Sequence, residues 1–214
     1  MYFPILIDLT KFKAVVIGGG KVSTRKVKNL LDFECKPDII SPEVIDELEE
    51  IIKNNQLKLI QRKYEYGDLI NYSLVFASTG DSDVDLMIEK ECSELGILLN
   101  VADVPVLCNF IVPANIKRGF LTLSLASQGN SPFLVKYLKE QINKTLPEEY
   151  TFISELARDL RNYLMNDIRF PDEKSRQAHF DLFLSIDWVS LIRNEGYSAA
   201  QEKLQEIINE LSDG

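Results

Sequence analysis

Hydrophobic and polar positions follow two different periods over the first hundred residues. Short continuous apolar runs predict buried strands, and apolar residues three and four positions apart predict the helices between them. The predicted strands are Lys13–Ile17, Pro37–Ile40, Leu57–Ile60, Ser73–Ala77 and Ile97–Asn100. The predicted helices are Lys21–Phe33, a helix that starts at Ser41-Pro42, and Asp81–Leu95. This βαβ rhythm predicts an α/β fold of the Rossmann type, with a parallel sheet covered by helices.

The pattern changes in the second half of the chain. Asn109–Val112 and Phe120–Leu125 predict two strands, joined by a turn at Lys117-Arg118-Gly119. The predicted helix Phe133–Lys144 follows, and helical spacing then continues to the end with a break near Phe170-Pro171. We therefore expect three parts, which are a dinucleotide-binding domain over 1–113, a small α+β segment over 114–145 and a helical domain over 146–214.

Two predicted helix starts share one signature. Ser41 precedes Pro42, and Ser131 precedes Pro132. Serine is a preferred N-cap because its hydroxyl can accept from a free helix N–H, and proline suits the first helical position because no N–H is needed there. The sequence therefore predicts helices that begin at Pro42 and at Pro132.

Composition narrows the function classes. The net charge is −9 and the pI is about 4.8, which disfavours a nucleic-acid backbone as the main partner. No segment has the roughly 20 apolar residues that a membrane helix needs, and no leader is expected. Cys35, Cys92 and Cys108 form no CxxC pair, so we expect no disulfide framework, no metal site and a cytoplasmic setting. His179 is the single histidine, which excludes a His-based triad; we expect a surface or packing residue.

Three glycines follow the first predicted strand directly. In a Rossmann fold, a glycine at Gly18 makes the tight turn, and the next glycines let the backbone approach a pyrophosphate. The N–H groups of the helix that follows favour that anion. Ser23 replaces the third glycine of the usual fingerprint, and a small residue suits this helix–strand contact. The motif predicts dinucleotide binding, and the other interpretation is a purely structural turn.

The end of the second strand bears on the choice of cofactor. An acidic residue usually holds the ribose there, but this chain has Ser41. Glu43 could reach the ribose, although an acid near a helix N-terminus needs no ligand to explain it. No Arg or Lys is present to bind a 2′-phosphate, which favours NAD over NADP. Thr79 follows the fourth strand and is expected to line the cofactor, unless it only serves the loop and the helix cap.

Asp103 is the candidate for proton transfer. It follows the strand Ile97–Asn100, at the carboxyl edge of the sheet where ligands bind in such folds. A carboxylate there could take a proton while a nicotinamide takes a hydride. The alternative is an aspartate that only shapes a turn before Pro105.

Several segments match a known family in order along the chain. They are Tyr2-Phe3-Pro4-Ile5 with a short strand up to Leu9, Val16–Lys26, Ala77–Asp81, Asn100–Asp103, Asn109–Ala114 and Ser124–Pro132. On these residues, the chain resembles the N-terminal module of siroheme synthases, the precorrin-2 dehydrogenases with or without sirohydrochlorin ferrochelatase activity. The resemblance covers about residues 1–145.

The resemblance implies a reaction and partners. Precorrin-2, a tetrapyrrole with many carboxylates, would lose a hydride to NAD⁺ to give sirohydrochlorin, and some members then insert Fe²⁺; Co²⁺ is a further metal substrate to consider. Asp103 would be catalytic in both steps. A homodimer held by the segment 114–145 is also implied.

The resemblance further assigns binding residues. The phosphate contacts would be Gly18, Gly19, Gly20, Lys21 and Val22. Pro42 and Glu43 fall on the adenosine side, with Ser41 beside them. Ser127 falls on the substrate-side loop, and Asn100 is expected to contact the substrate.

Two other function classes remain open. A dinucleotide-binding regulatory module without catalysis and a transferase that uses S-adenosylmethionine also begin with strand, glycine turn and helix. Regulatory modules usually have an acidic residue that binds the ribose at the position where this chain has Ser41. Neither class accounts for Asn109–Ala114 and Ser127–Pro132, and titration with NAD⁺ against S-adenosylmethionine would separate them.

Overall fold

The chain folds as two compact units. The structure, a computed structural model, describes residues 2–210, with side chains through residue 209. The units are Met1–Val112 and Pro113–Gly214. The predicted α+β segment and the helical part therefore belong to one compact unit.

The first unit contains a five-stranded parallel sheet. Its strands are β1 (Ala14–Ile17), β2 (Asp38–Ile40), β3 (Leu59–Ile60), β4 (Leu74–Ala77) and β5 (Leu98–Val101). Their order across the sheet is β3-β2-β1-β4-β5, and every neighbouring pair is parallel. The order reverses between β1 and β4, which is the topological switch point where Rossmann folds bind ligands. The predicted Rossmann-type α/β fold is confirmed.

Three helices cover the two faces of this sheet. They are α1 (Lys21–Leu31), α2 (Asp46–Asn55) and α3 (Ser82–Leu95). Alternate strand residues point to opposite faces, so Val15, Val75 and Leu99 pack with α3. Val16 and Phe76 pack with α1 and α2 on the other face. Because both faces are covered, the strands read as continuous apolar runs rather than alternating ones.

The helix α2 begins later than the sequence predicts. It starts at Asp46, so the interpretation of Ser41 as N-cap and Pro42 as first helical residue is wrong. The Ser41 hydroxyl donates to the Glu43 carbonyl at 2.6 Å instead of accepting from a helix N–H. The Ile45 N–H donates to the Gly19 carbonyl at 3.0 Å. These bonds hold the segment 41–45 against the glycine turn in a non-helical conformation.

Two other predicted strands, both in parts of the chain that the structure describes, are not formed. Asn109–Val112 is irregular because the Asn109 side chain bonds to the backbone of β5, accepting from Leu99 N and donating to Ile97 O, each at 2.8 Å. The short strand up to Leu9 is also absent, and Leu9–Lys11 forms a 3₁₀ turn.

The second unit begins with an antiparallel hairpin. Its strands are β6 (Ala114–Arg118) and β7 (Leu121–Leu125), so Lys117 and Arg118, predicted as turn residues, lie in the first strand. Gly119 has a φ of +57°, and a Cβ on it would lie 2.3 Å from Ser154 Oγ. The turn therefore packs directly against the helix Tyr150–Asn166, which contains Thr151 and Ser154.

Helices complete the second unit. They are α4 (Pro132–Thr145), α5 (Tyr150–Asn166), α6 (Glu173–Ser185), α7 (Trp188–Glu195) and α8 (Tyr197–Glu210). The predicted break near Phe170-Pro171 is confirmed, since it lies between α5 and α6. Leu156, Leu160 and Leu164 form one buried stripe of α5 and pack with Trp188. The indole N–H of Trp188 donates to the Phe183 carbonyl at 2.7 Å.

Candidate functional site

The glycine turn is closely surrounded by backbone. Gly18 has a φ of +118°, and a Cβ on it would lie 2.4 Å from the Ser78 carbonyl oxygen. A Cβ on Gly19 would lie 1.9 Å from the Glu43 carbonyl oxygen. At Gly20, by contrast, nothing lies within 4 Å of the added atom. The turn is thus packed tightly on two sides and open at the start of α1.

The N-terminus of α1 suits a phosphate group. Gly20 is its N-cap, and no side chain caps the first turn. The N–H and the hydroxyl of Thr24 both donate to the Gly20 carbonyl at 3.0 Å, which fixes the first turn. The N–H groups of Lys21 and Val22 lie in this turn, where a helix attracts anions. The residues therefore fit the pyrophosphate of a dinucleotide.

Ser23 fills the position of the third fingerprint glycine. It is fully buried, and its hydroxyl lies 2.7 Å from the hydroxyl of Ser78. A side chain is tolerated here because this hydrogen bond joins α1 to the end of β4. The departure from the glycine fingerprint is thus compatible with the site.

The predicted adenosine side lies beside Gly19. Ser41 is buried and bonded to Glu43, whereas Pro42 and Glu43 are exposed. Only the latter two side chains are open to a ligand. Thr79 follows β4, but its hydroxyl donates to the buried Asp85 at 2.7 Å. That hydroxyl is committed to α3, so any contact of Thr79 with the cofactor would come from other atoms.

Asp103 lies on the same sheet edge as the glycine turn. Strand register aligns Ile17 with Ala77 and Ala77 with Val101, so the ends of three strands are level. Asp103 follows two residues after Val101, is exposed and has a φ of +62°. Among the described residues, its carboxylate accepts no hydrogen bond and forms no ion pair. The carboxylate is therefore open to a ligand.

Asn100, predicted to contact the substrate, is buried and its side chain is engaged at both ends. Its Oδ1 accepts from Lys26 Nζ at 2.8 Å, and its Nδ2 donates to the Phe110 carbonyl at 3.1 Å. The sequence alone does not single out Lys26 from Lys21, Arg25 and Lys28 on the same helix, since most such residues are solvated and any of them near the cleft would suit an acidic substrate. Helical spacing from Ser23, Val27 and Leu30 was the available signal, since these residues form the buried face.

Ser127 belongs to the second unit. Its hydroxyl accepts from the Ser131 N–H at 3.0 Å, in a loop where Gln128 and Gly129 both have positive φ. The prediction that α4 begins at Pro132 is confirmed. A contact between Ser127 and the substrate stays a prediction.

Within residues 2–210, no group of three or more His, Cys, Asp and Glu side chains could hold a metal ion. Cys35, Cys92 and Cys108 are free thiols. His179 stacks edge-on against Phe170 with ring centroids 4.7 Å apart. In the part of the chain that is described, no helix has the length and apolar character needed to cross a membrane.

Sheet order, glycine turn and the uncapped helix N-terminus together define a Rossmann-type dinucleotide-binding unit. The family model described as "Putative NAD(P)-binding" matches residues 5–114, more than half of the chain. The chain belongs to this family, and a nicotinamide dinucleotide is its cofactor. The prediction of dinucleotide binding is confirmed.

Curated relatives cover nearly the whole chain. It is 28% identical to a siroheme synthase of Pseudoalteromonas atlantica over 96% of its length, and 29% identical to one of Thioalkalivibrio sulfidiphilus over 97%. The matches span only 44% and 42% of those proteins. The resemblance to siroheme synthases that the sequence indicates is confirmed.

One solved structure has the same fold throughout. The structure described as "SirC, precorrin-2 dehydrogenase" is 22% identical, with a TM-score of 0.77 over 100% of both chains. At this identity the likeness concerns the fold, which includes the second unit as well as the sheet.

Proposed function

We propose that the chain is an NAD-dependent dehydrogenase that oxidises precorrin-2 to sirohydrochlorin in siroheme biosynthesis. The observation that carries this proposal is that the glycine turn and the open carboxylate of Asp103 lie at the same edge of the sheet. Named relatives give it a substrate, since siroheme synthases match nearly the full chain and a precorrin-2 dehydrogenase shares its fold.

The proposed roles follow from position. Gly18, Gly19 and Gly20, with the N–H groups of Lys21 and Val22, bind the pyrophosphate, and Pro42 and Glu43 flank the adenosine. When bound, NAD⁺ supplies the hydride acceptor. Asp103 accepts the proton that the substrate loses as the hydride departs.

NAD rather than NADP suits the end of β2. The segment Ser41–Ile45 contains no Arg or Lys, and its one charged side chain is the exposed Glu43. A 2′-phosphate there would meet like charge instead of a cation, which disfavours binding of NADP. Comparing the affinities for NAD⁺ and NADP⁺ by calorimetry tests this assignment.

Metal insertion is a second step that the name of the relatives supports. Siroheme synthases are the curated matches, and siroheme carries iron. Fe²⁺ or Co²⁺ would be a substrate, and Asp103 would accept protons displaced from the pyrrole nitrogens. Adding the metal only after sirohydrochlorin has formed measures this step separately from the dehydrogenation.

A second copy of this chain is the proposed protein partner. No residue of α4 is buried within the described chain, and Phe133, Leu134, Tyr137 and Leu138 are exposed along it. Phe120 at the hairpin turn is 64% exposed. Exposed apolar surface of this kind is typical of an interface. Sedimentation of the wild type against Phe133→Asp tests whether 114–145 joins two copies.

Anaerobic turnover tests the main proposal. Purified protein receives precorrin-2 and NAD⁺ while the sirohydrochlorin spectrum is followed, and Fe²⁺ or Co²⁺ is then added. NAD-dependent formation of sirohydrochlorin supports the dehydrogenase, and metal-dependent change above the rate without enzyme supports chelation. No sirohydrochlorin with either NAD⁺ or NADP⁺ would overturn the proposal and favour the regulatory module. A cytoplasmic setting, where NAD⁺ is available, is part of the same proposal.

A further inference from the structure

Lys26 is held in a defined position at the carboxyl edge of the sheet. Its ammonium donates to Asn100 Oδ1 at 2.8 Å and lies 5.3 Å from the centroid of the Phe76 ring. Strand register pairs Phe76 with Asn100, so the amide and the ring lie side by side on β4 and β5. The ring of Phe110 packs edge-on against Phe76, at 5.5 Å between centroids. These contacts restrict a side chain that is usually mobile.

The ammonium has no anionic partner in the described part of the chain. It contacts an amide oxygen and an aromatic face, and no carboxylate of the described residues lies within ion-pair distance. Burial is the main reason that the pKa of Lys26 is lowered, while the more distant charge of Asp103 acts to raise it. A partly buried cation is costly without an anion. A ligand that brings a negative charge would remove this cost.

The cofactor phosphates do not account for this cation. They belong at the first turn of α1, where Gly20 is the N-cap, whereas Lys26 lies in the second turn. Its ammonium is directed toward Asn100 on β5 and not toward the glycine turn. Asn100 lies three residues before Asp103 in the chain. The position of this cation therefore fits an anionic group of the substrate, which is the other ligand of the site.

We propose that Lys26 binds a carboxylate of the tetrapyrrole substrate, and that Asn100 acts by positioning this ammonium beside Asp103. The inference rests on the proposed function for the identity of the ligand. It changes the expected role of Asn100, whose side-chain amide is already engaged with Lys26 and Phe110. Substrate is then oriented by its carboxylate periphery before the hydride leaves.

Sirohydrochlorin binding measures the interaction without turnover. Lys26→Met removes the charge and keeps the length of the side chain, so we expect affinity for sirohydrochlorin to fall about tenfold to a hundredfold. The KM for precorrin-2 should rise similarly. NAD⁺ affinity, measured by calorimetry, should stay within about twofold. Lys26→Arg should restore part of the affinity, and Asn100→Leu should give an intermediate loss.

Lys28 supplies the matched control. It lies on the same helix, is exposed and pairs with Glu47 at 2.6 Å. Lys28→Met removes the same charge from α1 and should leave sirohydrochlorin binding unchanged. This control separates a local contact from a general change in the charge of the unit.

The outcomes distinguish the two proposals. If the wild type makes and binds sirohydrochlorin but Lys26→Met binds it equally well, the role assigned to Lys26 is wrong. The proposed dehydrogenase function is then still supported. Equal losses of NAD⁺ and sirohydrochlorin affinity in Lys26→Met, with no rescue by arginine, would show a structural role and also overturn it. If wild type neither binds nor forms sirohydrochlorin, the proposed function fails first.

Discussion

Gly19 lies directly against the carbonyl of Glu43. A Cβ on Gly19 would stand 1.9 Å from that oxygen and 2.7 Å from Ser41 Oγ. The Ile45 N–H donates to the Gly19 carbonyl at 3.0 Å, so the two segments are joined as well as close. The glycine turn and the segment 41–45 therefore form one rigid wall of the dinucleotide site.

Gly19→Ala should displace this wall. The methyl group would have to push the Glu43 carbonyl aside, and overpacking of this kind costs about 1–3 kcal/mol. NAD⁺ affinity should fall on the order of tenfold or more, because the phosphate and adenosine sides shift relative to each other. Urea unfolding followed by far-UV circular dichroism and calorimetry with NAD⁺ measure the two effects.

Gly20→Ala is the stability control for that experiment. No atom lies within 4 Å of its added Cβ, and its φ of −92° is ordinary for alanine. The loss of stability should be less than about 1 kcal/mol, mainly from a poorer N-cap. Equal destabilisation by the two variants would contradict the steric argument.

Asp103→Asn should slow turnover and leave the fold intact. Asparagine tolerates the φ of +62° at this position and lacks a basic carboxylate. Loss of general base catalysis should lower kcat by about 10²–10⁴-fold, with NAD⁺ affinity unchanged. Asp103→Gly keeps the backbone conformation and also removes the side chain, so it should show the same kinetic loss. Full activity in either variant would remove Asp103 from the mechanism.

Tyr64→Phe should destabilise the first unit. Buried Glu91 accepts from the Tyr64 hydroxyl and from the N–H groups of Gly67 and Leu69, the latter two at 2.9 and 2.8 Å. Losing one donor to a buried carboxylate costs about 1–3 kcal/mol.

Tyr66→Phe offers a matched comparison for Tyr64→Phe. Its hydroxyl donates to Glu94 in the same manner, but this pair is exposed. Stability should therefore change by less than about 0.5 kcal/mol. Urea midpoints of both variants at pH 7 test the difference, and similar midpoints would refute a special role for burial.

Stability should decline at alkaline pH in a way that depends on Cys92. Burial raises the pKa of this thiol to about 12, whereas a thiol in the unfolded chain titrates near about 8.5. Because the folded-state pKa is the higher one, the contribution is fully present below about pH 8.5 and is lost as pH rises toward 12. The loss is at most about 1.4 kcal/mol per pH unit.

Cys92→Ala removes this titration. Its unfolding free energy should fall less steeply between pH 9 and 11 than that of the wild type, both measured in urea with reductant present. The variant also loses some packing at every pH, so the slope and not the absolute value is the test. Parallel slopes would show that Cys92 does not contribute.

The parallel sheet could be predicted because its signals are local. Each strand is a short apolar run next to a turn residue, and α3 carries its own N-cap in Asp81, which accepts from Asp83 and Val84. Gly18, Gly19 and Asp103 could be found in the same way. The chemistry proposed for them follows from residue type and from their position at a strand end.

The remaining errors have a tertiary origin. Ser41 and Pro42 have the local form of a helix start, but the packing of segment 41–45 against Gly19 keeps them out of the helix, and no local rule contains that contact. Asn109 likewise replaces strand pairing with side-chain bonds to β5. The position of Lys26 near the cleft could not be predicted either, because it depends on a hydrogen bond to Asn100, which is distant in the chain.

Trp188 has a practical consequence for measuring the two units. It is the single tryptophan of the chain, and it is buried in the second unit with its indole N–H bonded to Phe183. Its emission therefore follows the unfolding of that unit, whereas circular dichroism follows both. Superimposable curves from the two signals would mean that the units unfold as one cooperative body. Separate curves would give each unit its own unfolding free energy without any labelling.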